Sequence, residues 1–466
     1  MIRKESGQIE ASSIFLVLAI VIVTCLVGFF VTKASPSTSL LIVTIFVLVV
    51  VSFMSSDIVL YLLIASMLLS PEFLVGGLQG SGTAERGVTL RLDDFLLMII
   101  GLVWFAKTAI RKELGLFLKT PLNRPIAYYI SACVISTLIG FAMGRVDLKT
   151  GAFFVLKYFE YFIVYFMTIN YLADKKQVKR FVIVMLAVCM VVCIVAILQI
   201  PAGGRVTAPF EGEMGEPNTL GGYLVLLLSI TLGLLKIPDS MKRKTFLGIL
   251  VVFIAISLLA TLSRSSWLTV IPMLLTLIYF SKRKLAIVVP LVIILLISPF
   301  IIPKAVKDRA LFTFSQKQQQ QQLAIGGVRI DTSTSARITS WKDVLTKDFI
   351  KHPLLGYGVT GYRFLDAQYP RVLVETGILG LIAFMALIFF IYKHALRTYQ
   401  NTSDPFFKGI SLGYLAGFIA MLVHAIGANT FIIVRIMEPF WFLTAIIIMI
   451  PTIEADEVKA KVSVKG

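Results

Sequence analysis

The sequence predicts an all-α, polytopic membrane protein, a transmembrane bundle of about 12–14 helices with one large extracytoplasmic loop. Of the 466 residues, 58% are hydrophobic and only 15% are charged, a balance outside that of soluble globular domains. Apolar runs of about 20 residues, enough for a helix to cross a bilayer, recur from Ala11 to Pro451. Inside lipid a helix bonds every backbone group within its own segment, so these runs predict helices.

The basic residues give a net charge of +18 but lie in short clusters between the apolar runs. This placement is typical of membrane topology, because short basic loops stay in the cytoplasm, and it argues against nucleic-acid binding. With a cytoplasmic N-terminus, each cluster falls on that face: residues 107–124, 175–180, 242–244 and 282–284. The same alternation predicts a cytoplasmic C-terminus.

We predict about fourteen spans, which begin near residues 13, 38, 57, 93, 125, 152, 180, 218, 245, 266, 285, 373, 408 and 433. The first run, Ser13 to Val31, is longer than a signal-peptide core and is predicted to remain as a span. The glutamines at 318–322 are predicted to be flexible. The predicted divisions are N-terminal helices (1–150), central helices with outer arginine loops (151–302), the extracytoplasmic loop (303–372), C-terminal helices (373–451) and a tail (452–466).

The four cysteines all fall within apolar runs: Cys25, Cys133, Cys189 and Cys193. None lies in a loop, where a disulfide or a metal site would be expected. We therefore interpret them as small packing residues, and the sequence predicts no metal site and no cofactor.

Four arginines fall on or near the predicted outer face, where the positive-inside rule gives no reason for them: Arg205, Arg264, Arg337 and Arg435. An arginine at the lipid boundary either snorkels towards the headgroups or holds an anion. Several together favour an anion, because guanidinium groups bind phosphate oxygens through two donors and stay charged. A pyrophosphate at the membrane surface would suit them.

Asp366 lies just before the span predicted near residue 373, with Tyr369 and Arg371 beside it. A carboxylate in this position can accept a proton from a sugar hydroxyl. It can also simply favour the N-terminus of the following helix through the helix dipole. Both interpretations remain open from the sequence.

Two charged residues, Lys157 and Glu160, lie three residues apart within a predicted span, so they can pair on one helical face. Intramembrane charges are candidates for function, although a pair that neutralises itself and lines a cavity is an equal alternative. Among the histidines, His352 is predicted in a turn and His394 in the cytoplasm. Only His424, near the outer end of a span, could serve as a spare proton acceptor.

Several motifs occur in a specific order between residues 150 and 450: GEPNTLGGY before a span, TLSRSSWL between two spans, HPLLGYG late in the loop, and YPRVLVETGILGL entering the next span. Arg205 is also followed, after fifteen intervening residues, by Gly221. As a set, these motifs resemble the O-antigen ligase and O-antigen polymerase superfamily of bacterial membrane glycosyltransferases.

This resemblance implies a GT-C-like, metal-independent glycosyltransferase of the bacterial inner membrane that moves an oligosaccharide from a polyprenyl pyrophosphate to an acceptor hydroxyl outside the cytoplasm. It implies that Arg205 and Arg264 hold the pyrophosphate and that Asp366 acts as the catalytic base. The remaining candidates would bind substrate: Arg337, Tyr369, Arg371, Arg435 and Glu375. The expected partners are membrane lipid, the lipid-linked donor, a flippase and a chain-length regulator.

Ligases of the superfamily carry a His-Asn pair before the tyrosine at the loop end, whereas this chain has Asp366 and Ala367 there. The aspartate favours a polymerase of O-antigen or exopolysaccharide repeat units over a ligase to lipid A core or protein. A transporter or flippase of lipid-linked glycans is the alternative from another class. It predicts charges spread across the membrane depth, and a non-catalytic scaffold would leave the outer arginines without a role.

Overall fold

The computed structural model describes residues 47–463, apart from residues 48, 53–54, 75–88, 111–117, 212–214, 238–239, 282–283, 302, 317–321 and 326–327. Helices dominate this part of the chain, and eight of them are long and apolar enough to cross a membrane. The predicted all-α membrane bundle is therefore confirmed. The span predicted near residue 13, most of the span near residue 38, Cys25 and most of the glutamine tract lie outside the described residues.

The chain divides into two compact units, of which the first comprises Met1–Leu60 with Phe95–Leu116 and the second Tyr61–Asp94 with Phe117–Gly466. Helices α1 (Ser56–Leu69) and α2 (Leu92–Ile110) each contribute to both units. Between them, β1 (Glu72–Leu74) pairs antiparallel with β2 (Thr89–Arg91). The candidate site lies wholly within the second unit.

The later helices of the bundle are α3 (Asn123–Ala142), α4 (Leu148–Tyr171), α5 (Lys175–Gln199), α6 (Pro217–Leu235), α7 (Met241–Ala260), α8 (Arg264–Tyr279), α9 (Leu285–Ile301), and, after the loop, α12 (Gln368–Asn401), α13 (Pro405–Gly427) and α14 (Val434–Ser463). With α1 and α2, they match the twelve later predicted spans, and each begins within five residues of its predicted start. The hydrophobic pattern therefore located these helices well.

Acidic residues begin several of these helices. Asp147, Asp174 and Asp404 cap α4, α5 and α13, and each carboxylate accepts a hydrogen bond from a backbone N–H of the first turn. A cap of this kind stabilises a helix by about 1 kcal/mol. The Ser263 hydroxyl caps α8 in the same way, which places Arg264 at the first helical position.

Helix α6 is the most enclosed of the span-length helices, with 83% of its apolar stretch buried. Where α6 meets α13, Gly233 lies against Gly409 and Gly413, and a side chain at Gly233 would overlap their backbone. Small residues permit this close approach between helices in a membrane. The tight contact holds the ends of α6 and α13 beside one another.

The described residues of the predicted extracytoplasmic loop form several short elements. It contains α10 (Lys304–Ser315), a hairpin of β3 (Ala324–Ile325) and β4 (Val328–Arg329), and α11 (Thr332–Asp343). Helix α11 continues through a π turn and a 3-10 turn to residue 351. Arg337 lies within α11, five residues after the helix begins.

The end of the loop docks into a break in α12. Two backbone N–H groups of the HPLLGYG turn donate to carbonyls of α12 at 2.9 and 2.8 Å, and beyond the break Ile378 N donates to Pro353 O at 2.8 Å. The break lies at Gly377, whose φ is +67°. A side chain there would overlap the backbone of Leu354 and would occupy a left-handed conformation. Glycine therefore fixes the loop on the bundle.

We expect Gly377→Ala to destabilise the protein by at least about 2 kcal/mol, because it adds both backbone strain and a steric clash. The measurement is the thermal unfolding midpoint of the purified protein in detergent. Gly248→Ala is the matched control, since Gly248 lies within α7 and has no atom within 4 Å of an added Cβ. Equal midpoints for the two variants would show that the break does not depend on glycine.

Candidate active site

The site forms where helix ends meet at one end of the second unit. The C-termini of α5, α7 and α13 and the N-termini of α6, α8 and α14 lie there, joined by short connections. Contacts between the connections hold them together, including a hydrogen bond from Arg205 Nε to Thr261 O at 3.1 Å. Two of the basic clusters predicted to be cytoplasmic, residues 175–180 and 242–244, lie at the opposite ends of α5 and α7, and there Lys175 pairs with Asp404.

Arg264, at the first position of α8, makes the strongest ion pair of the site. Its Nη1 and Nη2 atoms donate to the two carboxylate oxygens of Asp331 at 2.9 and 2.8 Å. Asp331 also caps α11, accepting from the backbone N–H groups of Ser333 and Thr334. Burial alone would raise the pKa of Asp331, but the hydrogen bonds from Arg264 and Thr334 lower this pKa to about 2. The carboxylate is therefore ionised at any physiological pH.

Two further arginines lie beside this pair. Arg205 Nε and Arg309 Nε donate to the backbone carbonyls of Thr261 and Leu262, which form the turn between α7 and α8. Partial desolvation and repulsion from neighbouring arginines lower the pKa of Arg205 to about 10. The pKa of Arg309 is lowered for the same reasons. Three guanidinium groups thus share one small region.

Arg337 projects from α11 to the same region, where its Nη2 donates to Asp366 Oδ2 at 2.8 Å. The Asp366 side chain is 37% exposed and lies two residues before α12, so it remains accessible from outside the bundle. Repulsion from Arg337 contributes to the lowered pKa of both Arg205 and Arg309, which shows that its charge is close. The arginine cluster is therefore Arg205, Arg264, Arg309 and Arg337.

The arginine cluster carries more charge than its partners neutralise. Four guanidinium groups face the carboxylates of Asp331 and Asp366, which leaves a formal charge of +2. The N-terminus of α8 adds the partial positive charge of its helix dipole at Arg264. The arrangement is suited to binding an anion with about two negative charges.

A buried polar network supports the start of α8. Ser263 Oγ donates to Asn218 Oδ1 at 2.7 Å, and Ser266 Oγ contacts His424 Nε2 at 3.1 Å. The other ring nitrogen, His424 Nδ1, lies 2.8 Å from the Thr430 hydroxyl. Both ring nitrogens are thus engaged with hydroxyl groups. The structure places the predicted spare proton acceptor behind Arg264, in a supporting position.

Gly221 lies in this network as well. A Cβ at this position would overlap the Ser266 hydroxyl, so glycine lets α6 and α8 approach. This contact gives a physical reason for the GEPNTLGGY motif, which otherwise contributes Asn218 to the network.

Three other candidate residues lie in the first turns of α12. Arg371 Nε donates to Glu375 Oε1 at 3.1 Å, and the same oxygen accepts from the backbone N–H of Thr360 at 3.3 Å. The Tyr369 hydroxyl donates to Leu422 O at 2.7 Å. The ring centroid of Tyr369 lies 6.4 Å from that of Trp341 on α11, the helix that also carries Arg337.

The structure places Arg435 apart from the arginine cluster. It is almost fully buried, and its guanidinium donates to Glu72 Oε1 at 3.0 Å and to three backbone carbonyls: Leu68 O, Ser70 O and Pro209 O. Glu211 Oε1 lies 3.6 Å from its Nε. Arg435 thus ties α14 to the β1 segment and to the loop that carries Arg205.

The interior contains more charge than the sequence predicted. The expected Lys157–Glu160 pair is confirmed, with Nζ and Oε2 3.2 Å apart. Further charged side chains surround it: Arg91, Asp93, Asp94 and Glu438. Arg91 pairs with Asp93 at 3.0 Å, whereas both oxygens of the buried Glu438 lack a hydrogen-bond partner among the described residues. The RLDD sequence at the start of α2 was the feature of the sequence from which these buried charges could have been predicted.

The remaining predictions of the sequence concern cysteines and metals. Cys133, Cys189 and Cys193 are buried and free, as expected of packing residues. Within the described part of the chain, no group of three or more His, Cys, Asp or Glu side chains is arranged to hold a metal ion. His352 ends the 3-10 turn after α11, which confirms its predicted place in a turn.

Glu211 gives the cluster around Arg435 a dependence on pH. Burial raises its pKa from 4.5 to about 7, although Arg435 opposes the shift. The folded protein therefore binds this proton more tightly than the unfolded chain does. The stability that this group contributes is full below pH 4.5 and is lost as the pH rises through about 7.

The thermal midpoint of the wild type should fall between pH 5 and pH 8, and we expect a smaller fall in Glu211→Gln. The difference between the two proteins should correspond to at most about 3 kcal/mol in the free energy of unfolding. Glutamine keeps the acceptor for the N–H groups of Ala208 and Glu216. Asp456→Asn, at an exposed carboxylate, is the control and should leave the wild-type pH profile unchanged. The same slope in Glu211→Gln and wild type would contradict this assignment.

Comparison with known proteins agrees with the site. Residues 249–385 match the family described as O-Antigen ligase, and this segment contains Arg264, Arg309, Asp331, Arg337 and Asp366. A search of the curated proteins finds no match to the chain. The matched segment and the helical membrane architecture agree with the resemblance to the O-antigen ligase and polymerase superfamily that the sequence motifs carry.

Proposed function

We propose that the protein is a membrane glycosyltransferase that moves an oligosaccharide from a polyprenyl pyrophosphate to an acceptor hydroxyl outside the cytoplasm. The observation that carries the proposal is the arginine cluster, gathered where the helix ends meet and inside or beside the matched segment. A lipid-linked donor presents its diphosphate at the membrane surface, which is where residues at the ends of membrane-spanning helices lie.

The diphosphate of such a donor is a diester with two negative charges, and it complements the formal +2 of the site. Guanidinium groups bind phosphate oxygens through paired N–H donors and remain charged without a bound metal. We propose that Arg205, Arg264 and Arg309 hold the two phosphates and supply the positive charge that a divalent cation gives in other transferases. Arg309 is an addition to the residues expected from the sequence.

The chemistry needs one bond exchange. The acceptor hydroxyl oxygen attacks the anomeric carbon of the donor sugar, and the bond from that carbon to the phosphate oxygen breaks. The electron pair leaves with the polyprenyl pyrophosphate, whose growing charge the arginines stabilise. Asp366 takes the proton of the attacking hydroxyl, as its exposed carboxylate at the mouth of the site allows.

Polymerisation of O-antigen or exopolysaccharide repeat units is the transfer that we propose, because an aspartate stands where ligases carry histidine. In a polymerase, both donor and acceptor are lipid-linked, so the same surface would receive two membrane-bound substrates. A ligase remains the nearest alternative, and the description of the matched family favours it. The two activities differ in product: a ladder of longer glycans or a single transfer to a lipid A core or protein.

A transporter of lipid-linked glycans is the second candidate, and the buried charges around Glu438 are the observation that favours it. Charges across the membrane depth can line a path for an anion. In this structure, however, most of the deep charges pair with one another: Arg91 with Asp93 and Lys157 with Glu160. The excess of positive charge lies at the helix ends, which suits a one-sided reaction better.

We further propose a bacterial inner-membrane location with both termini in the cytoplasm. The basic clusters at 175–180 and 242–244 lie at the ends of α5 and α7 opposite to the arginine cluster, and short basic loops stay in the cytoplasm. The site would then face outwards. A flippase that delivers the donor and a regulator of chain length are the proposed partners.

Arg264→Ala should lower glycan transfer about 100-fold or more, since it removes two charge-assisted donors from the leaving group. Arg264→Lys should remain impaired, because an ammonium group cannot form the paired contact. The assay incubates purified protein with a synthetic polyprenyl-pyrophosphate repeat unit and separates the products by length. Arg363→Ala is the control, as Arg363 is an exposed loop arginine that pairs with Asp343. Transfer that survives in Arg264→Ala would refute the proposed site.

A second experiment, with the protein reconstituted in lipid vesicles, distinguishes glycan transfer from transport of the donor across the membrane. If no lipid-linked donor gives a product, while donor crosses reconstituted vesicles at the same rate in wild type and Arg264→Ala, the transferase proposal fails. Transport would then be the function that remains.

Asp366→Asn should reduce transfer about 100-fold while donor binding stays within a factor of about two, because the amide cannot accept the proton. Donor binding is measured separately with the unreacted lipid in the absence of acceptor. His424→Gln provides the comparison, since both nitrogens of His424 are already bonded within the protein. A larger loss of transfer in His424→Gln than in Asp366→Asn would identify the histidine as the base.

A further inference from the structure

Helix α11 contacts both proposed reacting groups of the site at once. At its N-terminus, Asp331 accepts hydrogen bonds from the two terminal nitrogens of Arg264. About one and a half turns further along, Arg337 donates a hydrogen bond to Asp366. One short helix therefore occupies the phosphate-binding arginine and the proposed base together.

The first contact occupies donors that a phosphate would need. Asp331 presents two oxygens to Arg264 Nη1 and Nη2, at 2.9 and 2.8 Å, in the paired geometry with which a guanidinium binds a phosphate. The Arg264 side chain is 16% exposed and that of Asp331 is fully buried, so the pair is shielded from water. A phosphate that uses the same two nitrogens has to displace the carboxylate.

The second contact lowers the availability of the base. Asp366 Oδ2 accepts a hydrogen bond from Arg337 Nη2 at 2.8 Å, so this oxygen faces the guanidinium group rather than an incoming hydroxyl. Movement of Arg337 away from Asp366 would restore its capacity to accept the hydroxyl proton. Both contacts thus act against the reaction, and both depend on the position of α11.

Helix α11 itself buries little apolar surface, and its packing is concentrated at its C-terminal end, where Val344 of the following π turn is buried against Leu373 and Val374 of α12. Ser335 is the one buried residue in its twelve, and Ile338 is 38% exposed. Ser335 Oγ accepts from Leu323 N at 2.9 Å and so ties α11 to the adjacent hairpin rather than to the bundle. Elements with few buried apolar contacts open at low free-energy cost. The two ion pairs are therefore a large part of what holds α11 on the site.

We propose that α11 is a two-point latch that closes the empty site, and that the donor diphosphate opens it by replacing Asp331 on Arg264. The helix then moves, Arg337 leaves Asp366, and the base becomes active only when the donor is bound. The proposal rests on the proposed function for the identity of the anion. The latch itself is a property of the protein without substrate and can be tested alone.

The latch is tested with Asp331→Asn, which removes the charge but keeps a side chain that caps helices well. Phenylglyoxal, a reagent for accessible guanidinium groups, is applied to the purified protein, and modification of Arg264 is followed by mass spectrometry. We expect Arg264 to react roughly tenfold faster in Asp331→Asn than in wild type. Asp343→Asn is the matched control, since Asp343 ends the same helix and pairs with Lys347 and Arg363 instead.

Hydrogen exchange of the α11 amides is measured on the same samples and should rise in Asp331→Asn but not in Asp343→Asn. Equal rates of Arg264 modification in all three proteins would overturn the latch, whatever the protein does with glycans. Faster modification without increased exchange in α11 would also overturn it, because the helix would not have moved.

Inorganic pyrophosphate then tests whether an anion opens the latch. We expect the wild type to bind pyrophosphate and to show increased hydrogen exchange in α11 when it does. Asp331→Asn should bind pyrophosphate roughly tenfold more tightly, because no internal carboxylate competes for Arg264. Tighter binding by wild type than by Asp331→Asn would overturn the latch and make Asp331 part of the binding site. If Arg264 becomes reactive in Asp331→Asn while neither protein binds pyrophosphate, the latch stands and the proposed phosphate site fails.

Discussion

The carboxylate of Asp331, held between the two terminal nitrogens of Arg264, is the contact on which the geometry of the site depends. It joins the start of α8 in the bundle to the start of α11 in the loop. Through α11 it sets the position of Arg337 and therefore of the contact with Asp366. Without this pair, Arg264 would lose the carboxylate that offsets the repulsion from the neighbouring guanidinium groups.

Different interactions hold the late segment and the middle of the loop. Its late segment is fixed by backbone hydrogen bonds into the break of α12 at Gly377, a contact that charge and pH do not affect. Its middle, at α11, is held mainly by ion pairs that a stronger anion can replace. A rigid anchor beside a replaceable contact allows the middle of the loop to move while Asp366 stays near the site.

The sequence predicted the helices and three arginines of the cluster, because apolar length and the positive-inside rule both depend on single segments. It did not predict Arg309, because this residue lies in a long loop and the positive-inside rule does not apply to the basic residues of long loops. Asp331 was missed because its partner is 67 residues away. Arg435 was grouped with the others by its place at a helix end, yet the structure surrounds it with Glu72 and backbone carbonyls. The position of a residue along a helix predicts its depth in the membrane, but it does not predict which side chains of other helices surround it.

The central claim is that the arginine cluster receives the diphosphate of a lipid-linked glycan. Its most direct test is an experimental structure of the protein with a donor analogue in which a methylene group replaces the oxygen that joins the anomeric carbon to the phosphate, so that the diphosphate is held but the sugar cannot be transferred. The account predicts both phosphates within hydrogen-bond distance of Arg205, Arg264 and Arg309, with Asp331 displaced. Phosphates seated instead beside the buried charges around Glu438, with the Arg264–Asp331 pair intact, would contradict it.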